Sequence, residues 1–129
     1  MIYCDGFIIG KNPSTKGGWT IMINYGTPII EYLEKENVTN NETELRAILR
    51  SCQLSPKKEI ISTDSMNSIR WINRAGNGKK LKARPDLTEV AKEIYTLSKE
   101  KELKIIWESR ENNFAGIYND KFRNKLNNV

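Results

Sequence analysis

The 129-residue chain contains no histidine, and this absence removes several common kinds of catalytic site. Ser-His-Asp and Cys-His nucleophilic catalysis both need an imidazole as the base, and many zinc sites need it as a ligand. Any chemistry must therefore depend on carboxylates, lysines, hydroxyl groups or a bound metal ion.

Cysteine and long apolar segments are also scarce. Cys4 and Cys52 are too few and too far apart for a disulfide framework or a cysteine-based zinc site, so reduced thiols are expected. No apolar run approaches the ~20 residues of a membrane span. The strand-like start, Met1-Ile2-Tyr3-Cys4, lacks the basic and then apolar order of a signal peptide. We therefore expect a cytoplasmic protein without a membrane association.

The charged residues that are present favour a polyanionic partner. The net charge is +5 and the isoelectric point is about 9.2, although many unrelated proteins share such values. The length suits one compact domain spanning residues 1–129, and we expect a monomer without an organic cofactor.

The apolar pattern predicts three strands at the start of the chain. These cover residues 1–9, 19–25 and 29–38, and short turns favour an antiparallel meander. Residues 10–18 read as a loop because they are rich in glycine and polar residues. Trp19, in the second strand, and Trp107, in a later one, are predicted to lie in the core, as is Trp71.

Helices dominate the rest of the pattern. Thr39-x-x-Glu42 is a capping box, which predicts a helix starting there and ending at Pro56. A short strand at 59–63, a helix to about Arg74, a helix at 85–101, a strand at 103–107 and a terminal helix at 112–126 follow. The order βββαβααβα and its helical crossovers predict an α/β fold with a mixed five-stranded sheet flanked by helices.

Three carboxylates lie in different predicted strands and helices, and the fold could bring them to one point. Asp5 and Asp64 each end an apolar strand-like run, and Glu44 lies in the first turns of the first long helix. Carboxylates without histidine suit Mg²⁺, and two such ions can hydrolyse a phosphodiester. Each residue also has a purely structural interpretation: Asp5 in a bulge or turn, Asp64 as a helix cap, and Glu44 as a solvated first-turn residue.

The ordered motifs resemble those of type 1 ribonucleases H. Cys4-Asp5-Gly6, Asn12-Pro13 and Gly17-Gly18-Trp19 resemble the family's opening pattern. Thr39-Asn40-Asn41, Glu44-Leu45 and Ala47 resemble its TNNxxELxA phrase, and Thr63-Asp64-Ser65 resembles its TDS. The resemblance implies a ribonuclease H-like fold. It also implies that Asp5, Glu44 and Asp64 are three of four carboxylates that bind Mg²⁺, with Mn²⁺ as an alternative ion.

The fourth carboxylate departs from the family pattern. The region resembles the variant without histidine, but Gly116 stands where the resemblance implies an aspartate. Asp120 follows one helical turn later and is our predicted fourth ligand. Glu111, in the preceding loop, is a rival, and a site with three carboxylates is the remaining alternative.

Substrate-binding residues are implied by the same resemblance. They are Asn12, Asn41 and the backbone near Gly6, which would contact the sugars of the RNA strand, although turn and cap roles would also suit the asparagines. A run of basic residues could follow a phosphate backbone or could simply be a solvated linker. Its members are Lys79, Lys80, Lys82 and Arg84.

The resemblance implies an endoribonuclease that cuts the RNA strand of RNA–DNA hybrids by a two-metal mechanism. Without a histidine, proton transfer or product release must use bulk water or another group, for which Arg110 and Glu111 are candidates. Two alternatives stay open: another nuclease of the same superfold, such as a transposase-like or junction-resolving enzyme, and a nucleic-acid-binding module that has lost activity. The feature that favours the second is Gly116.

Overall fold

Five strands and four α-helices follow one another in the predicted order within residues 1–127. The computed structural model describes the chain through Asn127, and its side chains through Lys121. Short 3₁₀ turns occupy Pro85–Leu87 and Arg110–Asn112. The strands are β1 (Ile2–Ile8), β2 (Ser14–Ile23), β3 (Ile29–Val38), β4 (Ile60–Thr63) and β5 (Lys104–Trp107), and the helices are α1 (Asn40–Leu54), α2 (Met66–Gly76), α3 (Thr88–Glu100) and α4 (Phe114–Asn127).

The strands form one mixed sheet in the order β3-β2-β1-β4-β5. The first three are antiparallel, whereas β1 pairs with β4, and β4 with β5, in parallel. Helical crossovers carry the chain between the parallel strands, as such pairing requires. The predicted architecture, an antiparallel meander extended by parallel strands, is therefore confirmed.

The second strand begins five residues earlier than its composition predicts. Gly17 and Gly18 pair with Ile8 and Phe7 inside the sheet instead of lying in a loop. A Cβ atom at Gly18 would lie 2.1 Å from the carbonyl oxygen of Glu31, so glycine is required there by close strand packing. Glycine can thus mark close backbone approach within a strand as well as a turn.

The two faces of β1 are covered by different helices. Ile2 and Cys4 point into the main core beneath α1, α2 and α3, and both are fully buried. Each buried isoleucine or leucine of this core contributes about 1.5–3 kcal/mol through the hydrophobic effect. The alternate residues, Tyr3 and Asp5, face the opposite side, where Tyr3 packs edge-on against Phe114 of α4. This alternation places Asp5 beneath α4.

The three tryptophans differ in their burial. Trp71 is buried and Trp19 packs against the core, as predicted. Trp107 is 48% exposed, so its predicted core position is wrong. It ends the edge strand β5, and its indole N–H donates to the carbonyl oxygen of Asp64 at 3.1 Å. An edge strand leaves one side of a large ring uncovered, and a strand-like sequence pattern does not reveal the edge position.

No helix within residues 1–127 combines the length and the apolar character needed to cross a membrane.

Candidate active site

Glu44 is brought to the sheet by the first turn of α1. Thr39 caps that helix, and its hydroxyl accepts a hydrogen bond from the Glu42 backbone N–H at 3.3 Å. The helix then lies directly on β1 at Gly6, where a Cβ atom would be only 2.4 Å from the Glu44 nitrogen. A side chain at Gly6 would therefore push Glu44 away from the strand.

The predicted capping box forms only in part. The Thr39 hydroxyl caps the helix as predicted, but the Glu42 carboxylate is fully buried and bonds to three cations instead of reaching back to the Thr39 backbone. Lys35 lies 2.8 Å from its carboxylate, Arg46 2.9 Å and Arg84 3.3 Å. Although burial raises the pKa of Glu42, these cations lower it overall, so the carboxylate stays ionised.

Asp5 and Asp64 are placed opposite one another by the parallel pairing of β1 and β4. Tyr3 pairs with Ser62, and the two aspartates each follow two residues further along their strands. Oxygens of Asp5, Glu44 and Asp64 all lie within 4.8 Å of one another. The structure thus brings together the three carboxylates that the sequence singled out.

These carboxylates repel one another in a largely buried site. The Asp5 side chain is fully buried and that of Asp64 is 11% exposed. Burial, and next the charge of Asp64, raise the pKa of Asp5 from 3.8 to about 6. Burial and the nearby Asp5 charge hold the pKa of Glu44 well above its usual range. A positive charge at this point would relieve the repulsion.

The donor set fits a divalent cation. Among the described side chains, Oε2 of Glu44 is buried without a hydrogen-bond partner, which is costly for a carboxylate oxygen. Three carboxylates from three different elements supply the hard oxygen ligands that Mg²⁺ and Mn²⁺ accept. Asp5, Glu44 and Asp64 are therefore the residues that could hold such an ion.

One guanidinium already contacts this cluster. Nη1 of Arg110 lies 2.9 Å from Oδ1 of Asp5 and 2.9 Å from Oδ2 of Asp64, and Nη2 lies 2.7 Å from Oδ1 of Asp120. Although partial burial opposes its charge, hydrogen bonds to these acids, that of Asp120 foremost, hold the pKa of Arg110 above its usual range. Arg110 is therefore the principal counter-charge of the cluster in the metal-free protein.

Asp120 reaches the cluster only through Arg110. Its side chain is 53% exposed, and among the described carboxylates it is not part of the group formed by Asp5, Glu44 and Asp64. Glu111, the predicted rival, is exposed on the 3₁₀ turn before α4. Gly116 is buried and faces the Arg110 guanidinium, since a Cβ atom there would lie 3.4 Å from Cζ of Arg110.

Asn119 is a site residue that sequence reasoning missed. It is fully buried, and its Nδ2 donates to Oδ2 of Asp5 at 2.8 Å and to the Asp5 carbonyl oxygen at 3.1 Å. Its side-chain oxygen accepts a hydrogen bond from the hydroxyl of Thr20 in β2. Asn119 lies four residues after the buried Ala115 and shares its inward helix face, but the sequence alone does not show that this face covers Asp5.

Asn113 anchors the start of α4 to β1. Its side-chain oxygen accepts from the Gly116 backbone N–H at 3.1 Å, as a helix N-cap does. Its Nδ2 donates to the carbonyl oxygen of Cys4 at 3.0 Å, immediately before Asp5. One buried asparagine thus begins the helix and sets its position over the carboxylates.

The predicted substrate-binding residues occupy two regions. Oδ1 of Asn12 accepts from the Asn40 backbone N–H at 3.2 Å, which joins the β1–β2 connection to the start of α1. Asn41 is exposed beside it, one residue before the buried Glu42. Gly6 lies beneath the same helix turn. This group therefore borders Glu44.

The lysine run lies outside the carboxylate cluster. Its members, Lys79, Lys80 and Lys82, are exposed on the connection that follows α2. Arg84, at the end of that connection, reaches α1 and donates to the Thr39 hydroxyl at 2.8 Å. The connection is thereby tethered to the start of α1, while its lysines point into solvent.

Comparison with known proteins agrees with this fold. The RNase H family model matches residues 1–117, and the chain therefore belongs to the RNase H family. A protein of Caldicellulosiruptor saccharolyticus described as Ribonuclease H is 36% identical over 81 residues. That match covers 61% of this chain and 55% of the relative, so it spans about half of the relative's length. The members of this family are nucleases of the hydrolase class that depend on divalent metal ions.

The raised pKa of Asp5 predicts a pH dependence of stability. The folded state binds this proton more tightly than the unfolded state, so the stability that the group contributes is full below about pH 4. It is lost as the pH rises through the folded pKa of about 6. Relative to Asp5→Asn, the protein in chelator should lose roughly 2 kcal/mol of unfolding free energy between pH 4 and pH 7. Urea denaturation of both proteins in chelator measures the difference, and parallel pH profiles would contradict the shift.

Proposed function

We propose that this protein is an endoribonuclease that hydrolyses the RNA strand of RNA–DNA hybrids with two divalent cations, Mg²⁺ or Mn²⁺. The products would carry 5′-phosphate and 3′-hydroxyl ends, and the enzyme would act as a cytoplasmic monomer without an organic cofactor. The observation that carries this proposal is the convergence of Asp5, Glu44 and Asp64, including a buried and unpartnered Glu44 oxygen, in a member of the RNase H family.

Each acidic residue has a proposed part in the site. Asp5, Glu44 and Asp64 would hold the cations, with Asp120 as the fourth carboxylate. Bound divalent cations would activate the attacking water and stabilise the negative charge on the leaving 3′-oxygen. The protein's part is to hold its ligands in place, and the hydrogen bonds of Asn119 to Asp5 serve this purpose.

RNA recognition is assigned to the group beside Glu44. Asn12, Asn41 and the backbone near Gly6 would contact the 2′-hydroxyls, which distinguish an RNA strand from a DNA strand. The link between Asn12 and the Asn40 backbone supports this assignment, because it holds the two segments together. The exposed lysines Lys79, Lys80 and Lys82 would contact phosphates further along the duplex.

A cleavage assay with an end-labelled RNA–DNA hybrid tests the proposal. We expect cleavage of the RNA strand that requires Mg²⁺ or Mn²⁺ and stops in chelator. Duplex DNA, duplex RNA and a branched DNA junction serve as controls. Cleavage of DNA would favour another nuclease of the superfold, whereas hybrid binding without cleavage would favour an inactive binding module.

Removal of the lysine run tests the second binding region. The triple substitution of Lys79, Lys80 and Lys82 to glutamine should raise KM for the hybrid several-fold and flatten its salt dependence. Without the positive charge of one lysine at a phosphate, about one counterion fewer is released when the hybrid binds. The turnover number at saturation should stay within about twofold, since these residues lie away from the carboxylates.

Binding measured between 50 and 300 mM KCl gives the salt slope for the lysine variant. A matched control replaces Lys57, Lys58 and Lys104. These lysines are exposed where β4 and β5 begin, at the ends of these strands that lie away from Asp64. An unchanged slope in the Lys79, Lys80 and Lys82 variant would assign those residues to a solvated linker.

A further inference from the structure

Arg110 joins three carboxylates that come from three separate elements. Asp5 lies in β1, Asp64 follows β4 and Asp120 lies in α4, and one guanidinium bonds to all three at 2.7–2.9 Å. Arg110 itself lies in the 3₁₀ turn between β5 and α4. A planar fork with several N–H donors can span such a set, which a single ammonium group cannot do with the same geometry.

The guanidinium uses the oxygens that a metal ion would need. Its Nη1 bonds to Oδ1 of Asp5 and Oδ2 of Asp64, and both residues belong to the candidate metal group. The other oxygen of Asp5 is already occupied by Asn119. A cation coordinated by Asp5 and Asp64 would therefore lie directly beside the like charge of Arg110, which already donates to one oxygen of each carboxylate.

Arg110 satisfies the cluster incompletely. Oε2 of Glu44 stays buried and without a partner, although the guanidinium lies on the neighbouring carboxylates. The Arg110 side chain is 39% exposed, and it packs against Gly116, which has no side chain to hold it in place. The guanidinium therefore has an open path to solvent, and the site retains a buried carboxylate oxygen that Arg110 does not satisfy.

We propose that Arg110 is a positioning residue that holds Asp5, Asp64 and Asp120 together in the metal-free protein and is displaced when a divalent cation binds. This inference rests on the metal site of the proposed function. Displacement of Arg110 would free the Asp120 carboxylate at the same moment. The exposed Asp120 would thus become available to the site only after metal entry.

Metal binding to the full chain tests this proposal without any hydrolysis. Mn²⁺ titration by calorimetry, after removal of metals with chelator, compares the wild type with Arg110→Gln, Arg110→Lys and Arg70→Gln. Arg70 is exposed on α2, so its replacement removes the same charge away from the cluster. We expect Arg110→Gln to bind Mn²⁺ at least fivefold more tightly, Arg110→Lys to lie between it and the wild type, and Arg70→Gln to match the wild type.

The salt dependence of Mn²⁺ affinity distinguishes displacement of Arg110 from a long-range effect of its charge. Exposed charges are largely screened beyond about 8 Å at physiological ionic strength, whereas direct competition in a partly buried site is screened much less. The tighter binding of Arg110→Gln should therefore persist at 300 mM KCl. Its disappearance at that salt concentration, or Arg110→Lys affinity equal to that of the wild type, would overturn the proposal.

A direct signal from the guanidinium completes the test. In nitrogen-15 NMR spectra, the side-chain N–H signals of Arg110 should be protected from water exchange in chelator and should lose that protection on Mg²⁺ addition. Protection that survives saturating Mg²⁺ would overturn the proposal. Failure of hybrid cleavage would count against the proposed function alone, because metal affinity and Arg110 exchange are measured without substrate.

Discussion

Asp5→Asn and Asp64→Asn are each expected to lower hybrid cleavage by at least about a thousandfold, which corresponds to about 4 kcal/mol of activation free energy. Both carboxylates lie in the cluster of oxygens within 4.8 Å. Asp5 lies in the middle of β1, and Asp64 directly follows the parallel strand β4. An asparagine keeps the size of the side chain but removes the negative charge that attracts a divalent cation. The loss should therefore appear in turnover at saturating hybrid and not merely in KM.

The same substitutions should leave the fold intact. Burial and the charge of Asp64 raise the pKa of Asp5 to about 6, so ionised Asp5 destabilises the metal-free protein at pH 7. Asp5→Asn should accordingly raise the free energy of unfolding in chelator by about 2 kcal/mol. In saturating Mg²⁺ the order should reverse, because the wild type gains more stability from the bound ion.

Turnover and urea denaturation of purified proteins decide both points. Asp86→Asn is the matched control, because Asp86 is also bonded to an arginine, at 2.8 Å, but lies outside the carboxylate cluster. The control should retain nearly full turnover. Near-normal turnover in Asp5→Asn or Asp64→Asn at saturating Mg²⁺ would refute the metal-site assignment.

The order of elements and the three carboxylates were predictable from sequence because each rests on a local pattern. Thr39 and the apolar spacing of α1 set the position of Glu44, and the apolar runs before Asp5 and Asp64 define two strands. The parallel pairing of Tyr3 with Ser62 then sets Asp5, in the middle of β1, beside Asp64, directly after β4. The prediction of one cluster therefore rested on local patterns and on the resemblance of the ordered motifs to those of type 1 ribonucleases H.

The remaining residues of the site depend on contacts distant in sequence. Arg110 meets Asp5 across 105 positions and Asn119 meets it across 114, and no local pattern encodes such distances. The loop assigned to residues 10–18 was partly wrong because Gly17 and Gly18 serve close strand packing. Trp107 was misplaced because the edge position of β5 is decided by the whole sheet.

The second large effect on turnover is expected for Asp120, the proposed fourth carboxylate. If Asp120 joins the metal site, Asp120→Asn should lower the turnover number at least tenfold, or about 1.4 kcal/mol of activation free energy. Asp120 is 2.7 Å from Arg110, whose other nitrogen bonds to Asp5 and Asp64. Release of Arg110 would leave the Asp120 carboxylate at the rim of the cluster, free of the ion pair that holds it in this structure.

An aspartate at position 116 should partly rescue that variant. Gly116 is buried on the inward face of α4, one helical turn before Asp120, and the atoms nearest to an added Cβ belong to the Arg110 guanidinium, at 3.4 Å. Because this neighbour is the end of a flexible side chain, Gly116→Asp can be accommodated. It would place a carboxylate on the inward face of α4, against the Arg110 guanidinium that contacts Asp5 and Asp64.

Whether Asp120 is the fourth ligand is decided by measuring turnover against Mn²⁺ concentration. Three proteins are compared: the wild type, Asp120→Asn, and the double variant that carries Asp120→Asn and Gly116→Asp. A fourth ligand predicts that Asp120→Asn needs more Mn²⁺ for half-maximal turnover and that the double variant needs less than the single one. Asp86→Asn again controls for loss of an exposed aspartate bonded to an arginine. If the curves for Asp120→Asn match those of the wild type, the metal site has three carboxylates and Asp120 is not a ligand. A loss confined to Glu111→Gln would move the fourth ligand to the turn before α4, where only a rearrangement of that turn could bring the exposed Glu111 to Asp5.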